Sequence, residues 1–472
     1  MRRRDSQDRV LKVTLLLTST LVVMVTGVIA PALPTMEDSF AHVTNVALWV
    51  RLVLTIPCLF IAVIAPIAGY VIDRIGRKIV LAISTVLFGL SGVAGYLAST
   101  LSLLLLTRAL LGIAVGGLMT SVTTLIADYY SGDARGQFMA LQAAVMGFAG
   151  TATLVLGGVL ANISWRVPFL SYALAILVLP LILLALYEPL VGERCAQKPP
   201  PVSDAGQCVA ESICATRIPK QTGASVSSIS IRFIVFVYLV MMGIQIAMYL
   251  IPALLPFHLQ GNMGANTFQS GLILSVASIS YALVALQYGR VASRLDHFGV
   301  LMSGFALIGA GYLLMWSAGG WAILVLGLFL AGAGQGLLIP NLTVWLAGQT
   351  PASLRGRVLG GLTTALFLGV FFSPIVGQPV SAAVGFRGLC VTVGALVLVA
   401  ELFFWMLRRR LRSLTDSTPP DVETPHAGKT EVDREAQLCR PGVSLTPTEE
   451  AGGSSVELPS LGSWPRGDPA PP

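Results

Sequence analysis

The sequence predicts an all-α polytopic membrane protein with twelve transmembrane helices in two pseudo-symmetric six-helix bundles. Three observations predict it. The 472-residue chain is 55% hydrophobic and 11% charged, where globular domains carry roughly 25% charged residues. Its apolar residues gather into twelve runs long enough to cross a bilayer. Its basic residues and a set of glycines recur at matching places in both halves.

A helix rises about 1.5 Å per residue and the hydrocarbon layer is about 30 Å thick, so ~20 mostly apolar residues make one crossing. Runs of that kind lie at 12–34, 47–71, 79–98, 101–127, 137–161 and 167–187, and again at 232–257, 267–289, 298–317, 321–347, 358–383 and 387–407. The opening Met1-Arg2-Arg3-Arg4 ahead of an apolar run has the form of a secretory leader. With eleven further runs behind it, the first run reads as a retained span. The domain plan is therefore a first bundle over 1–188, a flexible cytoplasmic linker over 189–231, a second bundle over 232–408 and a disordered cytoplasmic tail over 409–472. The linker holds the Pro-rich "AQKPPPVSDAGQ". The tail mixes Pro, Ser, Thr, Glu and Gly with little apolar content.

Orientation follows from the lysines and arginines. With the N-terminus inside, all basic residues except Arg51, Arg108, Arg166 and Arg387 fall on the cytoplasmic side, which is 26 of 30. Both termini are then cytoplasmic. Arginine outnumbers lysine 25 to 5, which hints at a GC-rich bacterial genome and an inner (plasma) membrane address.

The halves repeat at an offset of 220. Gly69 and Arg74 return as Gly289 and Arg294, Gly112 and Gly116 as Gly332 and Gly336, and Arg135-Gly136 as Arg355-Gly356. Glycines four apart let membrane helices approach closely where no hydrophobic drive exists between them. The other reading of these glycines is the ordinary composition of membrane helices. Prolines inside spans, among them Pro57, Pro66, Pro252, Pro340 and Pro374, bend helices and suit bundles that rock.

Between the second and third spans stands "GYVIDRIGRKIVL", residues 69–81. It resembles the signature loop of the major facilitator superfamily, G-x-L-a-D-R-x-G-R-K-x-x-L, with Gly69, Asp73, Arg74, Gly76, Arg77, Lys78 and Leu81 matching without a gap. The resemblance covers roughly residues 10 to 410 and implies the major facilitator fold. It also implies a conformational latch in which Asp73 pairs with the start of the eleventh helix, near Arg355 and Arg357, when the protein faces outward. The alternative is a plain basic loop with one incidental acid. In the second half Ser293 stands where that acid belongs. "TRALLGIAVGG" (107–117) resembles the family's fourth-helix pattern, with Arg108 embedded about two turns below the outer surface. "PALPTME" (31–37) resembles the first-helix end of drug-efflux members. In the fifth helix Gly157 and Gly158 fit the antiporter pattern G-P-x-x-G-G, but Thr153-Leu154 replace its Gly-Pro.

The acids able to couple transport to protons are few. Glu37 or Asp38 with Arg108 is the favoured exchanging group, Glu401 in the twelfth helix is a further candidate, and solvated loop acids are the plainer reading. Candidate cavity residues are Gln245, Tyr249, Tyr281, Gln287, Gln335 and Asn341, with helix-to-helix hydrogen bonding as their alternative role. A sparsely charged cavity points to small lipophilic or cationic cargo.

The resemblance therefore implies a secondary transporter working by alternating access, with proton-coupled, multidrug-like efflux as the leading reading. An importer or facilitator of the same fold, and a non-transporting receptor on the same scaffold, are the alternatives. The expected partners are the lipid bilayer, a small-molecule substrate and protons, with a monomeric chain. Six cysteines without a CxxC pair and four scattered histidines point to no metal site, cofactor or enzyme chemistry. The net charge of +7 comes without the aromatic-studded basic patch of a nucleic-acid binder. "AGKT" at 427–430 has Glu423 where a phosphate loop needs its first glycine. Asn162-Ile163-Ser164 is a glycosylation triplet too common to use.

Overall fold

Backbone amides find no water in hydrocarbon, so each apolar run closes its hydrogen bonds upon itself as a helix. The computed structural model describes residues 2–130, 132–187 and 231–416, and all its regular structure there is helical. In order these are α1 Arg2–Gly27, a 3₁₀ turn Ala30–Ala32, α2 Leu33–Ser39, α3 Val46–Ile75, α4 Arg77–Leu97, α5 Leu101–Tyr129 and α6 Gly132–Ala161. A second 3₁₀ segment, Val167–Ala173, leads into α7 Leu174–Ala185. Then follow α8 Ile231–Asn262, α9 Thr267–Ala292, α10 His297–Ser317, α11 Trp321–Gln349 and α12 Ala352–Asp416. The linker up to residue 230 and the tail from 417 lie outside the described residues. The last helix continues past the 408 boundary expected from the sequence.

Eleven stretches among the described residues are long and apolar enough to cross a membrane. The last, Leu354–Met406, is 53 residues long, about twice one crossing. Gly385 interrupts it at φ 71°, ψ 176°, a conformation that a side chain disfavours. The two pieces are the predicted eleventh and twelfth spans. The first span differs from expectation. Its apolar stretch runs Arg9–Ser39 rather than 12–34, because α1 stops at Gly27 and the chain passes Pro31 in a 3₁₀ turn before α2, with Pro34 in its first turn, resumes the path.

Successive spans reverse direction, so the turns fall on two faces. The charged face carries Gly76, Tyr130, Ser293–Asp296 and Thr350–Pro351. The opposite face, here the turn face, carries residues 40–45, 98–100, 162–166, 263–266, 318–320 and the break at Gly385.

The repeat read from the sequence is a repeat of contacts. Gly112 and Gly116 of α5 lie against Pro57 O and Ile64 of α3, and Gly332 and Gly336 of α11 lie against Ala277 O and Val284 of α9. Both first-half pairs recur 220 residues on. Arg166 donates to Ala98 O (3.5 Å) and Arg387, 221 residues on, to Ala318 O (2.8 Å), which carries the repeat to the turn face within one residue. A Cβ on Gly112 or Gly332 would fall closer than 3.0 Å to a backbone carbonyl. Gly112→Ala and Gly332→Ala are therefore expected to destabilise the protein by about 1–3 kcal/mol each. Thermal melting of the purified variants checks this, and unshifted midpoints for both would disprove the contacts.

The bundles meet along α6 and α9. Gly147 faces Ala282, Gly150 faces Ser278, Gly271 lies under Leu154 O, and Gly158 lies 2.7 Å (as a built Cβ) from Thr267 O. Small residues at every turn let two backbones run side by side.

Candidate functional site

Beside the α6–α9 seam a cavity of about 420 Å³ lies between the bundles, within the size range of small-molecule sites. Its walls are mainly apolar and soft: Met119, Met146, Met248, Cys58, Ile61 and Phe367 are among them. Four expected residues line it, namely Gln245, Tyr249, Tyr281 and Gln335. Gln335 Nε2 donates to Gln245 Oε1 at 3.1 Å, so α8 and α11 present one joined amide pair. No charged side chain is among the described lining residues. The methionines were missed in the sequence because nothing distinguishes a cavity methionine from a core one in an all-apolar helix.

Two expected cavity residues lie elsewhere. Gln287 is exposed near the end of α9 and accepts from Arg290. Asn341 is fully buried between helices. Its Nδ2 donates to His297 O (2.9 Å), and its Oδ1 meets His297 Nδ1 (3.0 Å) and Tyr288 Oη (3.3 Å). It ties α9, α10 and α11 together rather than facing cargo.

Arg108 is 0% exposed. Its Nη2 donates to Ser91 O (3.3 Å) and Gly92 O (3.1 Å), while its guanidinium carbon lies 4.8 Å from the Phe169 ring and 5.0 Å from the Tyr172 ring. Gly92 and Gly95 of α4 make the room, since a Cβ on either would strike Tyr172 or Phe169. Tyr172 Oη in turn donates to Val25 O (3.0 Å) of α1. The arginine thus joins α4, α5 and the Val167–Ala173 segment, and through Tyr172 reaches α1. Its Nε and Nη1 have no hydrogen-bond partner among the described residues.

The expected pairing of Glu37 or Asp38 with Arg108 is not what the structure shows. Glu37 Oε2 accepts from Arg51 Nη1 at 3.1 Å, and Arg51 also donates to Ala47 O. The corner at Asn45 (φ 58°) turns α3 back beside α2, which is what brings Arg51 to Glu37. Asp38 is exposed, and Glu401 is half-buried on α12.

The charged loop makes its described contacts within the first bundle. Gly76, at φ 109°, ends α3 and starts α4 in one residue. Arg77 pairs with Asp128 at 3.2 Å, and Lys78 Nζ donates to Leu183 O at 2.8 Å. Arg74 lies over the Tyr70 ring at 4.5 Å. Gly69 is inside α3 with open space beside it, rather than in the turn. Arg355 and Arg357 are exposed, and the Asp73 side chain lies outside the described residues.

At the turn face the bundles are tied together. Gln260 Nε2 donates to Pro31 O (2.9 Å), Thr267 Oγ1 meets Asn162 Oδ1 (2.6 Å) and Gly158 O (3.1 Å), and the Arg51 guanidinium lies 4.0 Å from the Phe257 ring. These contacts join the bundles on that side of the cavity. Among the described residues no group of His, Cys, Asp and Glu could hold a metal ion.

A family model described as Major Facilitator Superfamily matches residues 15–246 and 233–447. The chain is similar to the multidrug resistance protein MdtG of Escherichia fergusonii, 28% identical over 399 residues that cover 82% of this chain and 91% of that protein. It is similarly related to MdtG of Escherichia coli, 28% identical over 396 residues with the same coverage. Its fold is similar to that of a bacterial homologue of the human lysosomal transporter Spinster, with TM-score 0.68 and 16% identity over 88% of this chain and 99% of that one. The fold of a D-xylose–proton symporter is likewise similar, with TM-score 0.66 and 18% identity over 84% and 97%.

Proposed function

The chain belongs to the Major Facilitator Superfamily and is a multi-pass membrane transporter rather than an enzyme, and on that premise we propose that it exports small lipophilic or cationic compounds in exchange for protons. One observation carries the choice of cargo. The cavity offers methionines, aromatic rings and one amide pair, and no fixed charge, to whatever enters it. Phosphorylated or dicarboxylic solutes need cationic partners to replace their lost hydration, whereas an adaptable apolar wall accepts lipophilic bodies of varied shape. The likeness to MdtG supports the same reading.

Positive-inside placement puts the charged face in the cytoplasm, and the conformer with its turn face tied is then inward-facing. Asp73 engages Arg355 and Arg357 when the protein turns outward. Protons enter through Glu37, whose partner is Arg51. The chain works as a monomer. Facilitated uptake is the second reading, favoured by Thr153-Leu154 in place of the antiporter Gly-Pro.

Energised inverted vesicles loaded with a pH-sensitive dye test the exchange. Adding ethidium is expected to dissipate part of the pH gradient only where the protein is present, and Asp73→Asn should slow that response about tenfold or more at unchanged membrane abundance. A gradient indifferent to ethidium and to other lipophilic cations would exclude antiport. An Asp73→Asn variant at full rate would remove the latch.

A further inference from the structure

The turn face holds a second hollow, of about 750 Å³, that shares no lining residue with the central cavity. Its walls come from α8 (Leu254, Phe257, His258, Asn262), the 318–320 turn with the start of α11, and the break between the two pieces of α12. Arg51 reaches it from the first bundle. Gly385, at φ 71°, is what bends the chain so that Phe386 and Arg387 face this space.

Its chemistry is one-sided. Arg51, Arg387 and His258 line it, and no carboxylate is among its described lining residues, Glu37 meeting Arg51 from outside the lining so that Arg387 supplies the net positive charge. Arg387 spends one Nη2 bond on Ala318 O. Arg51 is 7% exposed, held by Glu37 behind the wall, and its Nε has no hydrogen-bond partner among the described residues. His258 stacks on Phe386 at 4.8 Å and 20°. Beside the two arginines stand Leu254, Leu324 and Val384, with Trp321 at the rim. A concave site with cations of one sign concentrates anions, and an apolar flank rewards a ligand with a short hydrocarbon body.

We propose that this hollow is a binding site for an amphipathic anion, its carboxylate or phosphate head set against Arg387 and Arg51 and its chain against Leu254, Leu324 and Val384. The site is separate from the cargo cavity and stands whether or not the exchange proposed above is correct. Because Arg51 belongs to one bundle and Arg387 to the other, an occupant bridges them and favours the state in which the turn face is shut.

Trp321 makes the site readable. Purified full-length protein is titrated with 8-bromooctanoate, whose bromine quenches a nearby indole, and the signal is taken as the difference from Trp321→Phe. Saturable quenching is expected, with 8-bromooctan-1-ol requiring at least about tenfold more, the equivalent of one charge-assisted contact. Arg387→Gln should raise the half-quenching concentration about tenfold, and Arg387→Lys by much less. Should Arg387→Gln fold poorly, Ser381→Asp, which sets a carboxylate in the same hollow, should abolish quenching and leave the Ala318 bond in place. In bilayer discs, stronger Trp321 quenching by brominated phosphatidylglycerol than by brominated phosphatidylcholine would identify a lipid headgroup as the source. Equal quenching by the two lipids, with octanoate still saturable, would identify a free amphiphile. Equal potency of acid and alcohol, or indifference to both Arg387→Gln and Ser381→Asp, would overturn the site.

Discussion

Replacing Arg108 with leucine is expected to cut transport about 100-fold or more while leaving the purified protein as heat-stable as before, within about 4 °C. The two halves of that outcome have separate causes. Removing a guanidinium from water costs several kcal/mol when no carboxylate accompanies it. Two carbonyl hydrogen bonds and two aromatic faces return a similar amount, with about 2 kcal/mol for each desolvated ring contact. The net contribution to stability is therefore small, and the backbone carbonyls of Ser91 and Gly92 remain inside helix α4 without it. A charge kept at no gain in stability is kept for what it does. Arg108→Lys should fail as well, because an ammonium can donate to the two carbonyls but has no planar face to lay against the Phe169 and Tyr172 rings. Dye efflux from cells and melting in detergent read the two quantities. Normal efflux by the leucine variant would reduce Arg108 to a packing residue. A fall in melting point beyond about 10 °C would make it a clamp.

The second large effect belongs to the seam between bundles. Gly271→Ala places a methyl group against Leu154 O and the backbone of Gly158, both on α6. Overpacking of this kind costs about 1–3 kcal/mol. Because the contact joins two bodies that must part during the cycle, the cost falls mainly on the conformer with the turn face shut. About 1.4 kcal/mol is tenfold in population, so the variant should favour the opposite conformer by about tenfold. Spin labels at Ser99 and Gly319, on matching turns of the two bundles, should then report a longer distance than in the parent protein. An unchanged distance distribution would mean that α6 and α9 stay together throughout the cycle.

How much of this was legible beforehand depended on the kind of signal. Twelve crossings and the 220-residue register were readable, because both rest on long runs and paired glycines rather than on which way a helix faces. Gly112 and Gly332 were recognised as packing residues for the same reason. Facing was not readable. In a helix apolar all round, the 3.6-residue period marks no side, so Gln287 and Asn341 could not be told from Gln245 and Gln335. The pairing of Glu37 was hidden for a different reason. Pro31 and Pro34 break the first span and Asn45 reverses the chain in a left-handed corner, and Arg51 arrives at Glu37 only as a result of both. The break in α12 was readable, since Gly385 falls in the short gap between two apolar runs.

The agreement of Arg166 with Arg387, and of Pro57 with Ala277, speaks of descent from a doubled ancestral gene, but the copies have since divided their labour. The position equivalent to Arg108 is Leu328, fully buried, and both described ion pairs, Arg51 with Glu37 and Arg77 with Asp128, belong to the first copy. Among the described residues the second copy supplies both amides and all the rings lining the central cavity. A chimera made from two first copies would inherit two stranded guanidiniums and no hydrogen-bonding amide pair, so neither half is a spare for the other.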